Sequence, residues 1–293
     1  MLRCVFWFAC AMLWIINPVY SESFMGRKYQ VFDGRNNASP AGLVIVLHGA
    51  GGTGRQIRKS SGFDALARKH GFVVLYPSAP SRLWNDGRFS VSHKPKIHAR
   101  DDVKWVSELV NSFVLKGVVD KNRIYAIGHS NGGGMVRRIH CDAPELLAGI
   151  AIVATKILKS AKCTHPAPIA TALFYGTKDK IAPHEGRNKV NSIFKNAGDT
   201  FSAQRSVDIW RRQNKCKKTA RIFRYDPVKA DKVRVEKYNY AACFSPLVYF
   251  EMIGGGHAYP GAKKSRNRAS DRLIGPAIMD VNAGVEAIKL WGL

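Results

Sequence analysis

The chain alternates short apolar runs with segments whose apolar residues recur at helical spacing. The continuous apolar runs predict buried strands, because a strand in a parallel sheet is covered on both faces. The predicted strands are a first strand at 28–32, followed by 43–47, 72–76, 123–127, 147–153, 169–175 and 247–253, and the predicted helices are 63–67, 101–115, 133–140, 203–213 and 281–290. Strands that alternate with helices predict an α/β fold, a mostly parallel sheet with helices on both faces.

Three details refine this outline. Segments 221–225 and 233–240 are predicted to form an antiparallel pair, and 78–100 is predicted to be a polar loop. Asp280 is the predicted N-cap of the last helix. With 293 residues, 46% of them hydrophobic, the chain can bury a full core, and no linker or internal repeat divides it.

Residues 1–21 are predicted to be a secretory signal peptide. Arg3 gives a positive start, 4–16 are almost wholly apolar, and Val19 and Ser21 stand where a signal peptidase reads small residues. An uncleaved membrane anchor is the alternative, but the apolar run is short for a span. We expect no transmembrane segment after signal removal and a single domain at 22–293, secreted or periplasmic.

The cysteines outside that segment fit an exported chain. An even number of them indicates two disulfides, and four cysteines allow three pairings. The pairing in chain order is favoured, because each bridge then closes a local loop and stabilises the fold by about 3 kcal/mol in the chain-entropy model. A metal site has no C-x-x-C pair or suitably spaced histidines to support it. These cysteines are Cys141, Cys163, Cys216 and Cys243.

The chain is strongly basic, with 46 Lys and Arg against 21 Asp and Glu and a net charge of +25. Such a surface is attracted to an anionic envelope or polymer, and the attraction weakens with salt. No nucleic-acid-binding motif accompanies the charge, so no specific nucleic acid binding is expected. A solvated basic surface without a dedicated partner is the simpler interpretation. The basic runs are 55–59, 137–138, 211–218 and 263–268.

A pentapeptide at 128–132, G-H-S-N-G, stands between a predicted strand and a predicted helix. The pattern G-x-S-x-G in this setting is a nucleophile elbow, in which a sharp turn holds the serine hydroxyl at the carboxyl end of a strand. The amino end of the following helix favours developing negative charge there. Ser130 is therefore the predicted nucleophile.

A serine hydroxyl needs a general base, and the base needs an acid that orients it. In sheets of this kind the acid and then the histidine follow the serine, each on a loop after a later strand. Asp179 follows strand 169–175 and His257 follows strand 247–253, so they are the predicted acid and base. Rival acids lie inside a predicted helix or at strand margins, and rival histidines follow no late core strand: Asp208, Asp226, His140, His165 and His184.

A tetrahedral intermediate also needs N–H donors. The residue after the nucleophile, Asn131, should supply one, and the glycine-rich loop after strand 43–47 should supply the other. In that loop Ala50 is the first choice and Gly51 the second. A phosphate-binding loop is the alternative, but the G-K-[ST] ending and the G-x-G-x-x-G spacing are both missing.

Five motifs occur in order along the chain: L-H-G-A-G-G, W-N-D-G-R, D-D-V, G-H-S-N-G-G and G-G-G-H-A-Y-P-G. Together they resemble the polyhydroxybutyrate depolymerase-like and feruloyl esterase family of secreted α/β-hydrolases, from about Arg27 to Leu293. The resemblance implies an α/β-hydrolase fold, the triad already chosen from the strand order, and disulfides paired in chain order. It also implies that Trp84 and Tyr259 flank the acyl or alcohol site, with plain packing as the alternative. Tyr259 stands where the family more often has tryptophan.

The implied activity is hydrolysis of carboxylic esters by a serine esterase, through an acyl-enzyme and without a metal or organic cofactor. Small or oligomeric esters of short hydroxy acids, phenolic acids or acetylated sugars are all compatible with the motifs. The main alternative is a non-catalytic, basic, envelope-binding protein on a hydrolase scaffold, which would not need all three triad positions filled. A peptidase on the same scaffold is a third interpretation.

Overall fold

The computed structural model describes residues 19–36, 40–88, 94–188, 198–262 and 273–293, and the side chains within these ranges except those of residues 19, 20 and 95. Most of the predicted signal peptide and the basic run at 263–268 lie outside the described residues. The predicted cleavage site after Ser21 lies inside a strand, β1, which pairs antiparallel with β2.

Ten strands of the described chain form one sheet, in the order β1-β2-β4-β3-β5-β6-β7-β10-β9-β8. The six central strands, from β4 to β10 in this order, run parallel to one another, and antiparallel strands flank them on both sides. The strands are β1 Val19–Phe24, β2 Arg27–Asp33, β3 Ala41–Leu47, β4 Val73–Pro77, β5 Val119–His129, β6 Gly149–Val153, β7 Ala170–Gly176, β8 Ala220–Tyr225, β9 Arg234–Tyr240 and β10 Leu247–Ile253.

Helices cover both faces of this sheet. On β3, Leu43 and Ile45 pack into a core with α4, α5 and α6, whereas Val44 and Val46 pack into a second core with α1, α2 and α7. This alternation explains why the central strands are apolar throughout. The helices are α1 Gly54–Ser61, α2 Phe63–His70, α3 Pro95–His98, α4 Asp102–Leu115, α5 Asn131–Asp142, α6 Ala203–Gln213 and α7 Ala283–Trp291.

The α/β architecture predicted from the sequence is confirmed, including the antiparallel pairing of β8 with β9. Two details are corrected. The last helix is capped by Asn282, whose side chain accepts the N–H of Val285 at 3.0 Å, while Asp280 instead accepts the N–H of Val228 at 2.7 Å. The polar loop 78–100 contains a 3-10 turn and the short helix α3. Within the described ranges, no helix combines the length and apolar character needed to cross a membrane.

Candidate active site

Ser130 lies at the junction of β5 and α5, with a φ of 53°. A non-glycine residue adopts a positive φ only where the surrounding structure holds it there. The surroundings are tight: a Cβ added to Gly128 would lie 2.2 Å from the carbonyl oxygen of Gly132, and one added to Gly132 would lie 2.5 Å from that of Leu47. Both glycines of G-x-S-x-G are therefore needed for the chain to turn here.

Asp179 follows β7 and is 4% exposed. Its Oδ2 atom lies 2.8 Å from Nδ1 of His257, and its Oδ1 atom accepts the backbone N–H groups of Ile181 and Ala182 at 2.9 and 2.7 Å. Burial alone would raise the pKa of Asp179. The hydrogen bond and charge of His257 and the charge of Lys156 outweigh burial and lower that pKa overall, so the carboxylate stays ionised.

His257 follows β10 in a glycine-rich turn that leaves no room for side chains. A Cβ on Gly256 would lie 2.2 Å from the carbonyl oxygen of Ile274. The carbonyl oxygen of His257 accepts Nε2–H of His129 at 2.8 Å. Burial lowers the pKa of His129 to about 4, so its ring is neutral at pH 7. His129, the residue before Ser130, thus ties the nucleophile elbow to the loop that carries the predicted base.

The structure therefore brings the predicted acid and base into direct contact. Ser130 reaches the same edge of the sheet, because β5, β7 and β10 all run parallel and end there. In the described part of the chain, the Ser130 hydroxyl forms no hydrogen bond. Such bonds are often long or poorly aligned before substrate binds.

The loop after β3 touches the nucleophile. A Cβ on Gly49 would lie 3.4 Å from Cβ of Ser130. The N–H of Gly51 donates to the carbonyl oxygen of Arg82 at 2.8 Å, whereas that of Ala50 makes no backbone hydrogen bond to the described residues. Of the two candidates in this loop, Ala50 is therefore the one with an amide free for an oxyanion.

Asn131, the other predicted donor, is the first residue of α5 and is fully buried. The first N–H groups of a helix have no partner within it, so this amide suits an oxyanion. Its side chain is engaged elsewhere: Oδ1 accepts the N–H of Trp84 at 2.8 Å, and Nδ2 donates to the Trp84 carbonyl oxygen at 3.1 Å.

The prediction that Trp84 flanks the substrate is not supported, because its side chain has no exposed surface. Its indole donates to the carbonyl oxygen of His48 at 3.0 Å, and the two rings lie 5.2 Å apart. His48 in turn donates from Nδ1 to the carbonyl oxygen of Gly49 at 2.7 Å and accepts the N–H of Ala79 at Nε2. Burial lowers the pKa of His48 to about 4, which matches this neutral tautomer. Trp84 therefore braces the loop that carries Ala50.

Tyr259 is 7% exposed, and its ring lies edge-on to His129 with centroids 6.1 Å apart. Its hydroxyl is buried and finds no partner among the residues described. Tyr259 therefore packs against His129, the residue before Ser130. A direct substrate contact for it stays a prediction.

The W-N-D-G-R and D-D-V motifs hold the loop between β4 and α4 in place over α5. Asp86 is buried and forms an ion pair with Arg88 at 2.5 Å, and its carboxylate abuts Gly134, one turn into α5. Asp102 accepts the N–H of Asn85 at 2.7 Å and also pairs with Arg27 at 2.7 Å. These motif residues therefore build the frame around the elbow.

Sequence reasoning missed Lys156, which is only 3% exposed and lies close enough to Asp179 to influence its pKa. It follows β6 by three positions, at the edge of the sheet where the predicted triad residues also lie. That position after a core strand was the available signal. No motif marked it.

In the described part of the chain two disulfides are formed, and they pair its cysteines in chain order. Cys141–Cys163 ties the end of α5 to the loop after β6, and Cys216–Cys243 ties the end of α6 to the loop before β10. Both bridges lie beside elements that carry the candidate site.

Comparison with known proteins supports the resemblance. Residues 35–171, a little under half of the chain, match the family model described as esterase PHB depolymerase. The poly(3-hydroxybutyrate) depolymerase of Ralstonia pickettii is 28% identical over 176 residues, which cover 57% of this chain and 34% of the relative. Feruloyl esterase B of Piromyces equi is 26% identical over 185 residues, covering 60% of this chain and 33% of the relative. The chain thus spans about a third of the length of these two relatives.

A solved structure extends the similarity in fold over most of the chain. The acetyl xylan esterase from Aspergillus awamori superposes with a TM-score of 0.56 at 15% identity, covering 88% of this chain and 99% of that one. At this identity the match concerns the fold alone. The predicted resemblance is confirmed: over residues 35–171 the chain is similar to the PHB depolymerase type of esterase, and it has the fold of an α/β-hydrolase.

Proposed function

We propose that this protein is a secreted serine esterase that hydrolyses carboxylic esters. The observation that carries the proposal is the buried 2.8 Å contact between Asp179 and His257, at the sheet edge where the strained elbow presents Ser130. A serine, a histidine and an acid in this chain order are the parts of an acyl-transfer site. The similarity to esterases favours an ester over a peptide as substrate.

In the first step Ser130 attacks the ester carbonyl while Nε2 of His257 takes the hydroxyl proton. Asp179 accepts Nδ1–H, fixes the tautomer and stabilises the imidazolium that forms. The backbone N–H groups of Ala50 and Asn131 donate to the oxyanion of the tetrahedral intermediate. The alcohol then leaves with the proton from His257.

In the second step water attacks the acyl-enzyme. His257 takes a proton from that water and returns it to Oγ of Ser130 when the second tetrahedral intermediate collapses. The acid is released and the free serine is restored. No further reactant is required.

The test is hydrolysis of p-nitrophenyl esters of increasing acyl length by the parent protein and by Ser130→Ala. We expect activity in the parent and a loss of several orders of magnitude in the variant. Ser60→Ala, an exposed serine on α1, is the control for serine removal as such. Equal activity of Ser130→Ala and the parent would contradict the proposal.

For the substrate class we propose short hydroxyalkanoate, phenolic or acetyl esters. The relatives are named for the depolymerisation of poly(3-hydroxybutyrate), the release of feruloyl groups and the deacetylation of xylan. Rates on hydroxybutyrate oligomers, methyl ferulate and acetylated xylan, measured side by side, would rank the three classes.

A secreted or periplasmic location fits the two disulfides, because these bonds persist in oxidising compartments. The net charge of +25 would additionally favour an anionic envelope or polymer as a surface for the enzyme. Binding to anionic vesicles that does not change between low and high salt would contradict this electrostatic association.

A further inference from the structure

We propose that Lys156 is a positioning residue for the candidate acid: its ammonium group holds the turn that carries Asp179, and its charge acts on the Asp179 carboxylate. The inference rests on the proposed function, because it assigns a role within the same catalytic apparatus. It concerns a side chain that none of the five sequence motifs contains.

A short chain of hydrogen bonds connects the two residues. Nζ of Lys156 donates to the carbonyl oxygen of Ala182 at 2.5 Å. The N–H of the same Ala182 donates to Oδ1 of Asp179 at 2.7 Å, and Oδ2 of Asp179 lies 2.8 Å from Nδ1 of His257. The ammonium therefore holds the turn that positions Asp179. Asp179 then orients His257, the predicted base.

The burial of Lys156 calls for an explanation beyond that one hydrogen bond. The side chain is 3% exposed, and none of the described carboxylates forms an ion pair with it. A buried charge without a paired partner is costly, and a neutral donor could satisfy the Ala182 carbonyl oxygen equally well. The buried charge of Lys156 is thus best explained by its electrostatic effect on neighbouring charged groups.

The surroundings show which neighbours those are. The ring of Tyr175 on β7 lies 5.2 Å from Nζ of Lys156. Asp179 and Glu185 attract the ammonium and Arg187 repels it, and burial lowers the pKa of Lys156 to about 8. The lysine is thus mainly protonated at pH 7, and Asp179 is its strongest electrostatic partner.

Two consequences follow for the reaction. The hydrogen bond keeps the carboxylate of Asp179 aimed at His257. The positive charge offsets part of the field of Asp179, so the lysine also sets how strongly that carboxylate acts on His257. Among the described residues, the ammonium of Lys156 forms no hydrogen bond with Ser130 or His257, so in this proposal it acts through Asp179.

Three substitutions separate these effects. Lys156→Met removes both the donor and the charge, Lys156→Gln keeps a donor but no charge, and Lys156→Arg keeps the charge. Lys159→Gln is the matched control, since Lys159 is exposed on the same loop. The measurements are kcat and KM on p-nitrophenyl acetate, and the pH dependence of Ser130 labelling by a fluorophosphonate.

We expect Lys156→Met to lower kcat by about 10- to 100-fold with little change in KM. Losses of this size are typical when a residue that orients a directly acting group is removed. In Lys156→Gln the acid limb of the labelling profile should move up by about half a pH unit, because a cation near His257 is lost. Lys156→Arg should keep the acid limb of the parent. Met and Gln variants that behave like Lys159→Gln would overturn the proposal.

A merely structural lysine would give a different pattern, with equal losses in all three variants and an unmoved acid limb. That outcome would also overturn the proposal. Failure of the proposed function is recognised separately, by a parent protein in which the fluorophosphonate does not label Ser130. In that case an NMR titration of His257 in Ser130→Ala, with and without Lys156→Gln, still decides whether the lysine acts on the histidine.

Discussion

The side chain of Asn131 holds the backbone of Trp84 from both sides. Its Oδ1 atom accepts the N–H of Trp84 at 2.8 Å, and its Nδ2 atom donates to the carbonyl oxygen of the same residue at 3.1 Å. Both residues are fully buried. The residue that follows the nucleophile thus has two functions in our proposal, since its backbone amide faces the oxyanion and its side chain anchors the loop over α5.

Asn131→Ala should therefore destabilise the fold as well as slow the reaction. The substitution leaves the N–H and carbonyl groups of Trp84 buried without partners, at a cost of about 1–3 kcal/mol for each. Urea unfolding followed by circular dichroism measures the loss. Asn111→Ala, an exposed asparagine on α4, is the control and should change the unfolding free energy by less than about 0.5 kcal/mol. Equal midpoints for the two variants would contradict the anchoring function of Asn131.

Asp179→Asn should abolish most of the activity while leaving the fold intact. The amide is isosteric with the carboxylate but can no longer stabilise the imidazolium of His257, and it favours the wrong tautomer. We expect kcat to fall by about 10³- to 10⁴-fold with a small change in KM. Asp226→Asn is the control, because Asp226 forms a surface ion pair with Lys229 that contributes little. A loss of less than tenfold in Asp179→Asn would remove this residue from the proposed triad.

The central strands could be predicted from the sequence because a strand buried on both faces is a continuous apolar run. Residues 41–47 of β3 are all buried, and the run there is apolar without a break. The positions of Asp179 and His257 followed from the same signature, since each comes just after such a strand. Their mutual contact needed the structure, because 78 residues separate them in the chain.

Other features lack such a signature. The choice between Asp280 and Asn282 as helix cap depends on Val228, which competes for the aspartate from another part of the chain. Lys156 was missed, and packing was only the alternative for Trp84, for one reason. Aromatic and charged residues are usually at least partly exposed, and only the packed fold shows that these two are buried.

Removal of the Cys141–Cys163 bridge should weaken the fold and the site together. The bond closes a loop of 22 residues, so Cys141→Ser with Cys163→Ser should cost about 3 kcal/mol of unfolding free energy. This loop contains Lys156, so kcat should fall as well. Thermal unfolding of the parent with and without a reductant, beside the double variant, measures the effect. A variant that unfolds at the temperature of the oxidised parent would show that the bridge adds no stability.

Acid should destabilise the protein well before its carboxylates are protonated. Burial lowers the pKa values of His48, His129 and His140 to about 4, whereas the same side chains titrate near 6.5 in an unfolded chain. Between these pH values the unfolded chain binds more protons than the folded one. The free energy of unfolding therefore falls as the pH drops from about 6.5 to 4, by up to about 3 kcal/mol for each histidine.

His140 tests this linkage, because it lies outside the candidate site and is 1% exposed. His140→Gln removes the titrating group, so its Tm should fall less between pH 7 and pH 4.5 than the Tm of the parent. The slope decides the question, whatever the Tm at pH 7. His70→Gln, at an exposed position on α2, should retain the slope of the parent. If His140→Gln and the parent lose stability in parallel in differential scanning calorimetry, the buried neutral state of His140 is not a source of the acid sensitivity.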